Sequence, residues 1–159
     1  MATIKKQGLG RGQFGGFTPY GNLTTLRATL ETLASGAVKG SDSAAAAGVG
    51  DVVVLEKLPQ GMVLEDAQAI VSTPLTASVT GSLGFIYADG VDSTEAPQDA
   101  AYFGAGINLN TAGRVRATGT KPPVKLAKEA FLVLTIAGAA NAKAGRVDFI
   151  VHGERMGPQ

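Results

Sequence analysis

Between Gly50 and Gly90 the chain reads GDVVVLEKLPQGMVLEDAQAIVSTPLTASVTGSLGFIYADG, and this stretch limits the possible folds more than any other. Val52 to Leu55 is a short run rich in β-branched residues, which suits a strand buried on both faces. Leu58-Pro59-Gln60-Gly61 follows, with Pro fixing φ at the first central turn position and Gly closing the turn. The chain returns from Met62 to Ser72, breaks at Thr73-Pro74, and runs on from Thr76 to Tyr87. There Ala77, Val79 and Gly81 alternate with Thr76, Ser78 and Thr80, the period of two that a half-buried strand requires. The expectation is a meander of three strands in one sheet, with nothing in it that forms a reactive centre.

A chain of 159 residues is read as one domain, large enough to bury a core without staples. Cysteine is absent, which excludes disulfides and thiolate metal sites. The first twenty residues hold no apolar run of the signal-peptide kind, and the longest largely apolar stretch, Ala130 to Ala140, is too short to cross a bilayer. A soluble protein with no membrane partner is expected. Charge is uneven: residues 1–20 carry Lys5, Lys6 and Arg11 with no acid, while the rest is mildly acidic. Residues 1–21 also hold six glycines, too much backbone entropy for independent folding. They are read as an extended basic arm that orders against a surface through Phe14, Phe17 and Tyr20, with residues 22–159 as the folded body.

Elsewhere the pattern is again of strands. Leu23, Leu26, Leu30 and Leu33 have helical spacing, but the threonines among them favour a strand with Leu26, Ala28 and Leu30 facing in and Arg27, Thr29 and Glu31 facing out. Ala44 to Ala47 fits a single helical turn. Ala88 to Ala100 is a loop by composition, and Tyr102 to Leu109 a strand with Phe103, Ala105, Ile107 and Leu109 on one face. Arg114 to Thr118 is a short strand, and Lys121-Pro122-Pro123 belongs to an edge or loop. Phe131 to Ala137 is apolar on both faces and therefore central. Arg146 to Gly153 closes the chain with Val147, Phe149 and Val151 inward, and Arg146, Asp148 and His152 outward. About eight strands with regular turn signals predict an antiparallel β-sandwich of jelly-roll type, a closed barrel being the other solution.

Candidate chemistry is thin. Gly10-Arg11-Gly12-Gln13-Phe14-Gly15 matches a dinucleotide-binding pattern, but only nine residues precede it and no clear helix opens at its end. Asp89, Asp92, Glu95 and Asp99 form an acidic loop whose spacing does not match an EF-hand, so solvated carboxylates, or a contact for a neighbouring subunit's basic arm, are preferred over a calcium site. His152 is the single histidine and falls on an outer face. Lys5, Lys6 and Arg11 are too few for firm phosphate binding, and nucleic acid is not an expected partner. No catalytic residue, metal or cofactor is expected. The absence of tryptophan argues against a carbohydrate-binding sandwich, the second reading of such a fold.

Three stretches carry a family likeness: GDVVVLEKLPQGMVLEDAQAIVS (50–72), GFIYADGVDSTEAPQDAAYF (84–103) and AFLVLTIAGAANAKAGRVDFIV (130–151). Together they resemble jelly-roll cement (decoration) proteins from the heads of tailed bacteriophages, the likeness covering about residues 22–155. The resemblance implies a virion protein made in the host cytoplasm that sits on the outside of an icosahedral capsid. It also implies a major capsid protein as partner, a homo-dimer or homo-trimer, and no active site. Another tail, baseplate or head-fibre component would share these turn and strand signatures. On this reading Lys5, Lys6, Arg11, Phe14, Phe17 and Tyr20 supply the capsid contacts.

Overall fold

The computed structural model describes residues 1–8 and 23–155. Among these residues ten strands run in chain order: β1 (Thr3–Lys5), β2 (Leu23–Thr32), β3 (Val52–Leu58), β4 (Met62–Thr73), β5 (Thr80–Tyr87), β6 (Asp99–Asn108), β7 (Gly113–Arg116), β8 (Val124–Lys125), β9 (Ala130–Ala137) and β10 (Gly145–Arg155). One sheet has the order β1-β3-β9-β5-β6 and the other β2-β10-β4-β7, with β8 also paired to β4. Apart from the short parallel pair β1–β3, every ladder is antiparallel. From β2 to β5 successive strands alternate between the sheets, β6 stays beside β5, and the last two strands, β9 and β10, are inserted one into each sheet. That interleaving is a jelly-roll sandwich.

The alternation in β2 and β10 is observed as read from the sequence. Leu26, Ala28 and Leu30 pack inward opposite Val151, Phe149 and Val147, all in one core cluster. The central position of the Phe131–Ala137 run is also observed, since β9 pairs with β3 on one side and β5 on the other.

The single-sheet meander is corrected. β3 and β5 both flank β9, whereas β4 belongs to the opposite sheet. The Pro59–Gly61 turn therefore hands the chain across the core. Leu58 and Met62 on its two sides are both fully buried between the sheets, and Gly61 at φ 76° supplies the left-handed residue the corner needs. The helical turn expected at Ala44–Ala47 is absent. Ala46 instead bridges Ala37, and the Ala47 N–H bonds the Gly36 carbonyl at 3.1 Å. In β6 the expected inward set fails at one residue, since Ala105 is exposed. Gly104 at φ 145° and Gly106 at φ 69° bend the strand around it.

The N-terminal residues are a further correction. Thr3–Lys5, expected within an extended arm that orders against a surface, forms an edge strand of the body itself, and Ile4 reaches the core at 2% exposure. Asp51 fastens this strand: its Oδ1 accepts the Ala2 N–H at 2.8 Å and its Oδ2 the Gly48 N–H at 2.9 Å. These two bonds, led by the one from Ala2, hold the Asp51 carboxyl below its ordinary value of 3.8. A depressed carboxylate stabilises the fold above its unfolded-state pKa, and that contribution is lost as pH falls through the folded value. The attachment of β1 is thus expected to loosen below about pH 3.8 and to be unchanged from there to neutrality. The Ala2 amide proton resonance should titrate with a midpoint below that value, and Asp51→Asn should flatten the titration. A midpoint at or above it would show that the bond is not made.

Candidate interaction surfaces

The two outward faces of the sandwich differ in chemistry. On the β2-β10-β4-β7 sheet, Arg146 donates to Glu31 at 2.8 Å and to Asp148 at 3.1 Å, and Thr29 Oγ1 donates to Asp148 at 2.6 Å. Lys39 meets Glu31 at 2.8 Å, and Arg116 meets Asp66 at 2.7 Å. The Lys39 hydrogen bond lowers the Glu31 pKa, the Arg146 hydrogen bond lowers that of Asp148, and Asp148 in turn raises that of Arg146. These groups are largely solvated, so the pairs organise the face more than they stabilise it.

The outward face of the other sheet is nearly without charge. Val52, Ser82, Ile86, Phe131 and Thr135 are half-buried there. Val54 and Val133 are register partners that point away from the core, yet they are 1% and 0% exposed. Beside Val133 the start of β6 crosses the neighbouring strand. Gly84, the β5 partner of Val133, carries the backbone of Asp99–Ala101 directly over its outward side. Among the described residues charge stands at the margin, at Lys5 and at the 3.2 Å pair of Lys57 with Glu129.

Of the residues nominated from sequence as contacts, Lys5 and Lys6 are on adjacent positions of the body. The Lys5 side chain is exposed, and its backbone N–H bonds Asp42 Oδ1 at 3.0 Å. Lys6 reaches across to β2, its Nζ donating to the Thr29 carbonyl at 2.7 Å. Together with Glu31, Lys39, Gly40 and Arg146, Lys6 and Thr29 line an open, mainly cationic hollow beside that strand. Arg11, Phe14, Phe17 and Tyr20, and the whole Gly10–Gly15 pattern, lie outside the described residues.

Two of the four acids of the loop, Asp89 and Asp99, are paired from within the chain. Asp89 pairs with Lys128 at 2.7 Å, and Asp99 pairs with Lys121. Asp92 Oδ1 accepts the N–H groups of Ser93 and Gln98 at 2.8 and 2.7 Å. The Lys128 hydrogen bond lowers the Asp89 pKa. Burial pushes the Asp99 carboxyl up, but the Lys121 and Ala101 bonds more than offset it and the net shift is downward. Among the described residues no three His, Asp or Glu side chains are grouped to hold a metal ion. His152 is on the outer face as read from sequence, its Nδ1 3.3 Å from Thr25 Oγ1. It stands between two shallow hollows, one lined by Asp66, Gln68 and Arg116, the other by Leu23, Thr24, Thr25, Glu65 and Gly153.

No protein family and no curated protein matches the sequence. Solved structures do match the fold. A chain in the capsid of Ralstonia phage GP4 is similar over 98% of this chain and 99% of its own length, with a TM-score of 0.64 and 15% identity. A chain in the capsid asymmetric unit of cyanophage Pam1 is similar over 89% and 91%, with a TM-score of 0.53 and 14% identity. The likeness is one of fold. It runs the full length of both chains in the first case, so nearly the whole of this chain falls within the shared architecture. Of the residues that shape the two outward faces, only Lys5 and Lys6 were marked by the sequence as contacts. The signal of others was present in the alternation, which marks Arg27, Glu31, Arg146 and Asp148 as outward.

Proposed function

We propose that this chain is a structural virion protein of a bacteriophage. It binds the outside of an icosahedral shell and clamps neighbouring major capsid subunits, as a homo-dimer or homo-trimer. The single observation that carries the reading is the end-to-end fold likeness to a chain of a phage capsid. The surface chemistry supports it. A sandwich with one nearly uncharged outward face and one salt-bridged face has two chemically distinct sides, as suits a body with one side on a shell and one in water. In this reading Lys5, Lys6, Arg11, Phe14, Phe17 and Tyr20 add contacts from the N-terminal segment, and many copies acting together make up for weak single contacts.

The test is co-sedimentation of the purified protein with shells assembled from the capsid subunit of the same phage. Saturable binding, with a rise in the temperature at which the shells rupture, is expected. Replacing residues 9–21 with a Gly/Ser linker of equal length, which spares Ile4, is expected to weaken binding without unfolding the body. No binding by the intact chain would refute the reading.

A further inference from the structure

We propose that the first half of β2 is an open strand edge that accepts an extended, acid-bearing segment of the shell subunit. This rests on the shell-binding reading above and says where the shell engages the body. In the unshifted β2–β10 ladder the even-numbered residues of β2 point their side chains inward and bond β10, while the odd-numbered residues turn their backbone groups to the free edge.

On two other edge strands, β1 and β6, the chain covers an edge position itself. At β1, Lys5 exchanges bonds with Asp42, its N–H to Oδ1 at 3.0 Å and its carbonyl from the Asp42 N–H at 3.0 Å. At β6, the Phe103 carbonyl takes the N–H groups of Thr118 and Gly119, each at 3.0 Å. The second half of β2 is closed too: Lys6 Nζ caps the Thr29 carbonyl, Lys39 N–H bonds the Glu31 carbonyl at 2.8 Å, and Leu33 N–H bonds the Ala37 carbonyl at 2.8 Å. Among the described residues the edge-facing backbone groups of Leu23, Thr25 and Arg27 have no partner. Such a row is a template for another strand.

The side chains specify the partner. Across to β10, Glu31 faces Arg146, Thr29 faces Asp148 and Thr25 faces His152, each bonded to its opposite number or in reach of it. Arg27 faces Ile150, is exposed, and makes no ion pair among the described residues. Its charge is therefore left for the edge side, where a directly opposed residue has its Cβ about 5 Å away and an acid is favoured. Leu23 is 80% exposed on the same face four residues earlier, which asks for an apolar residue opposite it. The segment that fits carries an acid and an apolar residue on one face, four positions apart.

Two variants and one measurement test this. Thr25→Pro removes an edge-facing N–H and no backbone bond to β10, losing besides only the exposed 3.3 Å side-chain contact with His152, and Arg27→Glu reverses the charge. Each is expected to weaken binding to bare shells roughly ten-fold, with unchanged thermal midpoints, while Arg114→Glu on the far margin of the same sheet binds as the parent does. The Thr25 and Arg27 amide protons should exchange fast in the isolated protein and slowly on shells. Protection already present in dilute isolated protein would mean that the chain covers its own edge. Protection that grows with concentration alone would mean a second copy does. Either result, or both variants binding like the parent, overturns the proposal. Failure of the parent to bind shells would instead overturn the shell reading itself, and this proposal with it.

Discussion

Asn141→Leu is expected to destabilise the protein by about 4 kcal/mol and to lower its thermal midpoint by roughly 12 °C. Asn141 is 1% exposed, in the loop between β9 and β10, where three loops converge. Its Oδ1 accepts both the N–H and the Oγ1–H of Thr76, each at 3.1 Å. Its Nδ2 donates to the Lys143 carbonyl at 2.8 Å and to the Gly36 carbonyl at 3.4 Å, and its backbone N–H bonds the Ala47 carbonyl at 2.9 Å. One amide thus ties the β2–β3, β4–β5 and β9–β10 connections together at one end of the sandwich. Leucine preserves the volume and strands the Thr76 N–H and at least one carbonyl, each costing about 1–3 kcal/mol when buried without a partner.

Asn141→Asp separates this from simple loss of packing. It keeps the acceptor oxygen but turns a second oxygen toward two carbonyls, so its ionised form is disfavoured and its folded-state pKa is raised. The sign of the linkage follows: that variant is best folded at low pH and loses stability as pH rises through the raised value. A midpoint for Asn141→Leu within about 2 °C of the parent, or no pH slope in Asn141→Asp, would show that the amide is not the staple.

Asn141 also marks the limit of what the sequence discloses. Periodicity tells which face of a strand is buried, so β2 and β10, with Leu26, Ala28 and Leu30 against Val151, Phe149 and Val147, were readable residue by residue. Periodicity does not say which neighbour a strand pairs with. The β3–β4 connection therefore read as a hairpin, although it crosses the core. Strand β1 gave no signal because it is three residues long with one apolar side chain, Ile4. An asparagine among glycines and alanines reads as turn chemistry, and only three-dimensional convergence shows it as a buried hub. The outward charges of Arg27, Glu31, Arg146 and Asp148 were legible, but not that among the described residues Arg27 alone of them makes no ion pair. The motifs that carried the family likeness prove to be scaffolding. Asp51 of the Gly-Asp opening fastens β1, Gly84 and Asp89 shape and pair the loop that follows β5, and Asn141 joins the loops.

Gly84→Ala is expected to be the more damaging change, costing about 4 kcal/mol or preventing folding. The reason is a crossing of two backbones. In the β5–β6 ladder Leu83 pairs with Gly104 and Phe85 with Asp99, so residues 100–103 all stand opposite Gly84. A Cβ on Gly84 would lie 2.1 Å from the Asp99 carbonyl oxygen, 2.4 Å from the Ala100 carbonyl carbon and 2.7 Å from the Ala101 nitrogen. No side-chain rotation relieves contacts with main chain, so β6 must lift. Lifting it moves Tyr102, whose hydroxyl donates to the Leu64 carbonyl at 3.1 Å or the Pro122 carbonyl at 2.8 Å and whose ring packs edge-on against Phe85 and Phe103 at 5.6 and 4.9 Å. It also uncovers Val133 on the nearly uncharged outward face. Near-ultraviolet circular dichroism should report loss of the aromatic cluster, and dye binding the newly exposed apolar surface. Gly90→Ala is the control, since Gly90 has φ 71° but open space around its Cβ position. It should cost only the left-handed backbone penalty of about 1 kcal/mol and leave the aromatic signal intact. Equal stability of the two variants would mean that the β6 crossing yields easily, and that the outward face it covers is not fixed by the fold.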